Sequence, residues 1–130
     1  MQIIVDANIF LAVILNEPEK QRIIEITEGI ELVSPEVLTY EIGNALSAAY
    51  KKQRIIKEQV MQAYQIFNTI PVYLLDVDVK NALQIACDSN SYAYDAYYLE
   101  LARKNDLPLL TLDNKMKSNA KLFNIKTLEL

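Results

Sequence analysis

Short β-branched runs alternate with longer helical stretches along this chain, and that alternation narrows its fold more than any other feature. Residues 2–6, Gln-Ile-Ile-Val-Asp, read as a first strand followed by a helix-like segment. After Pro18, residues 19–28 read as a helix ended by Gly29. Residues 30–33 form a short strand. Ser34-Pro35 then reads as a helix start, with Ser as N-cap and Pro in the first position, and that helix runs to about 52. Residues 55–70 make another helix, stopped by Pro71, and 72–75 a strand. Residues 78–90 form a helix with Val79, Ala82, Leu83 and Ala86 on one face, and 93–104 form a further helix. A strand at 109–112, a weaker helix at 114–123 and a last strand at 125–128 complete the series. This pattern predicts a three-layer α/β/α fold whose central sheet is mostly parallel and covered on both faces. A chain of 130 residues fits one such domain, 1–130.

Composition removes several chemistries. With no histidine and one cysteine, Cys87, the chain cannot build an imidazole–thiolate zinc site or an internal disulfide. Two glycines, Gly29 and Gly43, cannot write a phosphate-binding loop or a dinucleotide fingerprint. An apolar share of 52% excludes a disordered chain, yet no apolar run is long enough to span a membrane. With no leader pattern at the N-terminus, a reducing, cytoplasmic setting is expected. What remains is carboxylate chemistry with hard cations.

Four acids stand in apolar surroundings with no cationic partner evident in sequence: Asp6, Glu41, Asp95 and Asp113. Asp6 ends the first strand and Asp113 follows a late one, so neighbouring strands would bring the two together where open α/β sheets place ligand sites. Either could instead be a helix cap, and Asp95 a first-turn acid favoured by the helix dipole. Glu41 is harder to explain that way. Residues 42–50 carry no charge and are mostly apolar, which reads as a buried helix. A lone glutamate there is paired, protonated, metal-bound or beside a wet cleft. Four such carboxylates suit Mg2+ or Mn2+ and, through them, phosphodiester hydrolysis by an activated water.

Four segments carry a family resemblance: Ile4-Val5-Asp6-Ala7-Asn8-Ile9-Phe10-Leu11, Pro35-Glu36-Val37-Leu38-Thr39-Tyr40-Glu41-Ile42, Tyr94-Asp95-Ala96-Tyr97-Tyr98-Leu99-Glu100-Leu101-Ala102 and Leu110-Thr111-Leu112-Asp113-Asn114. In this order they resemble the acidic blocks of PIN-domain ribonucleases, and the chain as a whole is most similar to VapC-type toxins of prokaryotic toxin–antitoxin pairs. The resemblance implies that Asp6, Glu41, Asp95 and Asp113 are catalytic, metal-holding acids, with Asn8 and Thr111 supporting them. It implies an RNA substrate and a cognate antitoxin. The family often carries a further polar or acidic residue just after the last Asp; Asn114-Lys115-Met116 leaves open whether one metal or two are held.

Net charge is −4, from 13 basic and 17 acidic residues, which disfavours a broad nucleic-acid-binding surface. Two basic clusters, Lys51, Lys52 and Arg54, and Lys115 and Lys117, are therefore the expected RNA-phosphate contacts, or else solvated helix ends. Cys87 is expected in the core. Tyr92, Tyr94, Tyr97 and Tyr98 read as core or partner packing, with base stacking as the alternative. Helices 36–52, 55–70 and 93–104 carry more apolar positions than one sheet face covers, which predicts a homodimer and an antitoxin-binding surface. Two other functions compete. One is a phosphoacceptor or phosphatase-like domain using Asp6, although position 8 is Asn where a dehalogenase-type phosphatase needs Asp. The other is a non-catalytic PIN-like binding module.

Overall fold

A computed structural model describes residues 1–130. The elements are β1 (Gln2–Val5), α1 (Ala7–Ile14), α2 (Lys20–Thr27), β2 (Glu31–Pro35), α3 (Leu38–Lys51), α4 (Lys57–Phe67), β3 (Tyr73–Leu75), α5 (Val79–Ser89), α6 (Ala93–Asn105), β4 (Leu109–Leu110) and α7 (Asn114–Leu122). The four strands form one sheet in the order β3-β2-β1-β4, and every pairing is parallel.

Strand periodicity explains the layers. Successive side chains of β1 point to opposite faces. Ile3 and Val5 join a core with Phe10 of α1, Leu38, Ile42 and Leu46 of α3, and Phe67 of α4. Ile4 joins the opposite core with Val33 of β2, Ile85 of α5, Tyr98, Leu99 and Leu101 of α6, and Met116 of α7. A strand covered on both faces has no polar side to present, which is why β1 reads Ile-Ile-Val. Each such side chain, fully buried, stabilises the fold by roughly 1.5–3 kcal/mol. Phe10 meets Phe67 edge-on, with ring centroids 5.7 Å apart, and ties α1 to α4.

The strand order places the functional cleft. From β1 the chain moves outward to β2 and β3, then returns to β4 on the other side of β1. Connections leave β1 and β4 in opposite directions, so a crevice opens beyond their C-terminal ends. The chain enters it twice, at Asp6 and at residues 111–113.

Several details differ from the sequence reading. Ser34-Pro35 does not start a helix; both residues lie in β2. The Ser34 hydroxyl donates to the Val5 carbonyl at 2.6 Å, where β1 ends, so its hydrogen bond joins two strands. Proline is accepted at the strand's last position, and α3 begins at Leu38 without a side-chain cap. Residues 125–128 make only a single bridge, Leu109 with Thr127. β4 stops at Leu110 because side chains take the next amides: Leu112 N–H donates to Asn8 Oδ1 at 3.2 Å and Asp113 N–H to Thr111 Oγ1 at 3.0 Å. α3 buries one face only, through Leu38, Ile42 and Leu46. In α5 the inward residues are Ala82, Ile85 and Ala86, while Val79 and Leu83 are exposed. Cys87 is exposed, on the outer side of that helix.

Candidate active site

The site starts from one buried carboxylate. Asp6 leaves β1 as the N-cap of α1, and its Oδ1 accepts from the Ala7 amide at 2.7 Å. Its Oδ2 accepts from the Thr111 hydroxyl at 2.7 Å. Thr111 Oγ1 in turn accepts from Asn8 Nδ2 at 3.4 Å and from the Asp113 amide. Asn8, Thr111 and Asp6 thus form one chain of hydrogen bonds that fastens the β1–α1 turn to the segment after β4. The two polar residues assigned by resemblance as supporting Asp6 contact it directly or through one another.

The other three acids reach the same cleft from separate helices. Glu41 stands in the first turn of α3 and Asp95 in the first turn of α6. Asp113 caps α7, its Oδ1 accepting from the Lys115 amide at 2.8 Å and the Met116 amide at 3.3 Å. Glu41 Oε1 accepts from the Tyr98 hydroxyl at 2.8 Å. Together the four carboxylates line a cleft of about 370 Å³, shared with Asn8, Leu11, Tyr40, Asn44 and Tyr94.

None of them is in a salt bridge. The chain's one salt bridge, Arg22 with Glu25 at 4.0 Å, lies on α2. Burial pushes the Asp6 carboxyl up from 3.8 to about 6, opposed by its two hydrogen bonds and reinforced by the charges of Asp95 and Asp113. Burial raises Glu41 from 4.5 to about 7, against the Tyr98 hydrogen bond and with the charges of Asp6 and Asp95. Asp95 is raised by burial and by Asp113, with Lys115 pulling the other way. The Tyr98 hydroxyl, buried beside Glu41, is held far above the usual phenol range and so stays a donor.

This donor set suits a hard divalent cation: all-oxygen, negatively charged, partly buried and with no lysine or arginine lining the cleft. As they stand, the carboxylates do not close into a three-ligand cluster. Their present hydrogen-bond partners hold two of them in place. Asp113 Oδ1 is tied to two α7 amides, and both oxygens of Asp6 are engaged.

Tyr98, expected to pack or to stack on bases, makes a polar contact within the site. Its ring is buried, yet its hydroxyl serves Glu41. The available signal was its spacing: Tyr98 lies three residues after Asp95 and shares its helix face. Asn44 stands in the same relation to Glu41. The basic residues are placed unequally. Lys115 stands two residues after the α7 cap and acts on Asp95. Lys51, ten residues after Glu41, lies about 15 Å along α3 from it, with Lys52 and Arg54 beyond; all three are exposed. α6 buries Ala96, Tyr98, Leu99, Leu101 and Ala102, and of the leftover surface expected of it supplies only its first turn, with Tyr94 and the preceding Tyr92 exposed. Most of that surface comes from Tyr40 and Tyr50 of α3, Ile56, Met61 and Ile66 of the α4 region, Tyr73 of β3, and Val79 and Leu83 of α5.

Known proteins share this architecture. A relative named Ribonuclease VapC3, from Pyrobaculum aerophilum, is 24% identical over 121 residues, covering 89% of this chain and 92% of its own. The crystal structure of PAE2754 from the same organism superposes with a TM-score of 0.73 at 21% identity, covering 98% of this chain and 83% of that one. VapBC2 from Rickettsia felis, solved bound to a DNA fragment from the promoter, gives 0.71 at 17% identity, with 98% of each chain covered. FitAcB from Neisseria gonorrhoeae gives 0.60 at 17% identity, covering 99% of this chain and 97% of that one. The PIN domain profile matches residues 3–122, from the first strand through the last helix, and the chain belongs to the PIN domain family.

Proposed function

We propose that this chain is a metal-dependent endoribonuclease, the toxin of a VapBC-type toxin–antitoxin pair, which hydrolyses RNA phosphodiester bonds. One observation carries the chemistry: four carboxylates from four separate segments share one cleft at the sheet's switch point, with no cation among them. The family membership and the ribonuclease relative support the reaction class. A phosphoacceptor role for Asp6 is disfavoured because position 8, where a dehalogenase-type phosphatase needs Asp, is Asn8, which donates to Thr111.

Asp6, Glu41, Asp95 and Asp113 would hold Mg2+ or Mn2+. The ion supplies an activated water and charge neutralisation at the scissile phosphate. The protein's own part is orientation. Thr111 and Asn8 fix Asp6 against β4, so its carboxylate cannot swing away. Tyr98 occupies Glu41 Oε1 and leaves Oε2 without a side-chain partner. Burial raises Glu41 to about 7 when no ion is bound, so ion binding near neutral pH would have to displace a proton from it. Lys115 and Lys117 flank the α7 side of the cleft as phosphate contacts, and Lys51, Lys52 and Arg54 meet only RNA that extends along α3.

The same reading gives the chain a second copy and an antitoxin as partners in the cytoplasm. The relatives solved as VapBC2 and FitAcB support it, as do the exposed apolar side chains of α3, α4, β3 and α5. No helix is long and apolar enough to cross a membrane.

The test is cleavage of an unstructured RNA by the purified chain. Cleavage is expected with Mg2+ or Mn2+, none in excess chelator, and none from Asp95→Asn with an unchanged melting temperature. Full cleavage in chelator, or by Asp95→Asn, refutes the reading.

A further inference from the structure

A second polar cavity, of about 390 Å³, opens between α5 and α6 and shares no lining residue with the acidic cleft. Glu100 is the one polar residue of its lining that is buried. It is only 2% exposed, and its Oε2 has no hydrogen-bond partner. Burial raises its carboxyl, opposed by Lys104 and the Asp78 backbone, while the charge of Asp78 adds to the rise. Leaving such an oxygen unmet is destabilising. Two cations on the same helix are spaced to meet it. Arg103 and Lys104 follow Glu100 by three and four residues, the intervals at which helical side chains pair. Neither forms a salt bridge with it. The Arg103 guanidinium lies instead over the Phe123 ring, 5.6 Å from its centroid, and Lys104 is exposed. From α5 come Asn81 and Gln84. Asn81 Nδ2 donates to Asp78 Oδ2 at 3.1 Å, so Oδ1 is the end of that amide left for a ligand.

The charges are therefore layered, with an unpartnered carboxylate inside and an unpaired ammonium at the mouth. A bare cation would satisfy Glu100 but be repelled by Lys104. A bare anion would be drawn to Lys104 and repelled by Glu100. A molecule carrying both signs on neighbouring atoms satisfies each. We propose that this cavity binds a small zwitterion of the free α-amino-acid type, its ammonium donating to Glu100 Oε2 and Asn81 Oδ1 and its carboxylate facing Lys104. The volume lies within the range of small-ligand sites, about 300–1,000 Å³. None of these residues belongs to the acidic cleft, so the inference stands apart from the ribonuclease reading.

The experiment is calorimetric titration of the full chain with each of the common L-amino acids in turn, beside propylamine and propionate as single-charge controls. The protein is freed of divalent ions beforehand, so that no amino acid can be chelated by an ion in the acidic cleft. At least one amino acid should bind, and neither control should. Glu100→Gln should weaken that binding about ten- to a hundredfold, because it removes the charge that receives the ammonium. Lys104→Gln, at the exposed mouth, should weaken it about two- to fivefold. Lys104 is on the surface, so this second variant keeps the test open if Glu100→Gln does not fold. Binding of no amino acid to the wild-type chain overturns the proposal and leaves the cavity to water. Propylamine binding as tightly as the amino acid overturns it too, since the pocket would then read an amine alone. Affinity unchanged in both variants places the ligand elsewhere and likewise overturns it.

Discussion

Asp6→Asn should stabilise the metal-free protein at alkaline pH and destabilise it in acid. Burial carries the Asp6 carboxyl from 3.8 to about 6. Because the folded-state value lies above the unfolded one, the carboxyl's contribution is most favourable below pH 3.8 and is lost as pH rises through 6. Each tenfold change in proton affinity is about 1.4 kcal/mol, so an ionised Asp6 costs about 3 kcal/mol above neutrality. Asparagine removes that cost. It also loses one of two hydrogen bonds, because its single carbonyl oxygen cannot accept from both the Ala7 amide and the Thr111 hydroxyl. That loss is about 1 kcal/mol. The net expectation is a gain of about 2 kcal/mol at pH 8 and a loss of about 1 kcal/mol at pH 4, or roughly 6–10 °C up and 3–5 °C down in Tm for a chain of this size. Glu41, raised to about 7, steepens the wild-type curve in the same window, but its half-exposed carboxylate is screened and adds less. Thermal melts by circular dichroism in chelator, from pH 4 to 8, should show the two curves crossing. Curves that stay parallel, or an Asp6→Asn protein less stable than wild type at pH 8, would refute the burial argument.

Other perturbations separate the supporting residues. Tyr98→Phe keeps the buried ring and removes the only hydroxyl bonded to Glu41, so metal affinity by calorimetry should weaken about 10- to 100-fold with little change in Tm. Thr111→Val leaves Asp6 Oδ2, the Asp113 amide and Asn8 Nδ2 without their shared partner. It should lower stability by about 1–3 kcal/mol in denaturant titrations. Reversing the charges of Lys51, Lys52 and Arg54 should leave cleavage of a four-nucleotide RNA unchanged and weaken binding only of longer ones, because Lys51 lies about 15 Å from Glu41; loss on the short RNA would contradict that placement.

The sequence carried the α/β layering in its periods. Ile3-Ile4-Val5 announces a strand buried on both faces, and the helical stretches between strands leave few other topologies. The four acids stand out in the sequence by their apolar neighbours, and all four line one cleft. Less visible were features set by tertiary partners. Ser34 looks like an N-cap until one sees that the Val5 carbonyl, 29 residues away, takes its hydrogen. β4 is cut short by Asn8 and Thr111 side chains that no local pattern reveals. Tyr98 reads as core because its ring is core; only Glu41, reaching from the opposite helix layer, gives its hydroxyl a second task. Cys87 and Leu83 fall on the outer face of α5 because Ile85, rather than Leu83, defines the face packed on α6.

The most direct measurement is a crystal of this chain soaked in Mn2+, with anomalous scattering recorded at the manganese edge. The account predicts a peak in the cleft bounded by Asp6, Glu41, Asp95 and Asp113, with Asp6 and Asp95 among its ligands and the peak gone in crystals of Asp95→Asn. No peak in that cleft at millimolar Mn2+, or a peak that survives Asp95→Asn undiminished, would contradict the claim that these four carboxylates are a metal site.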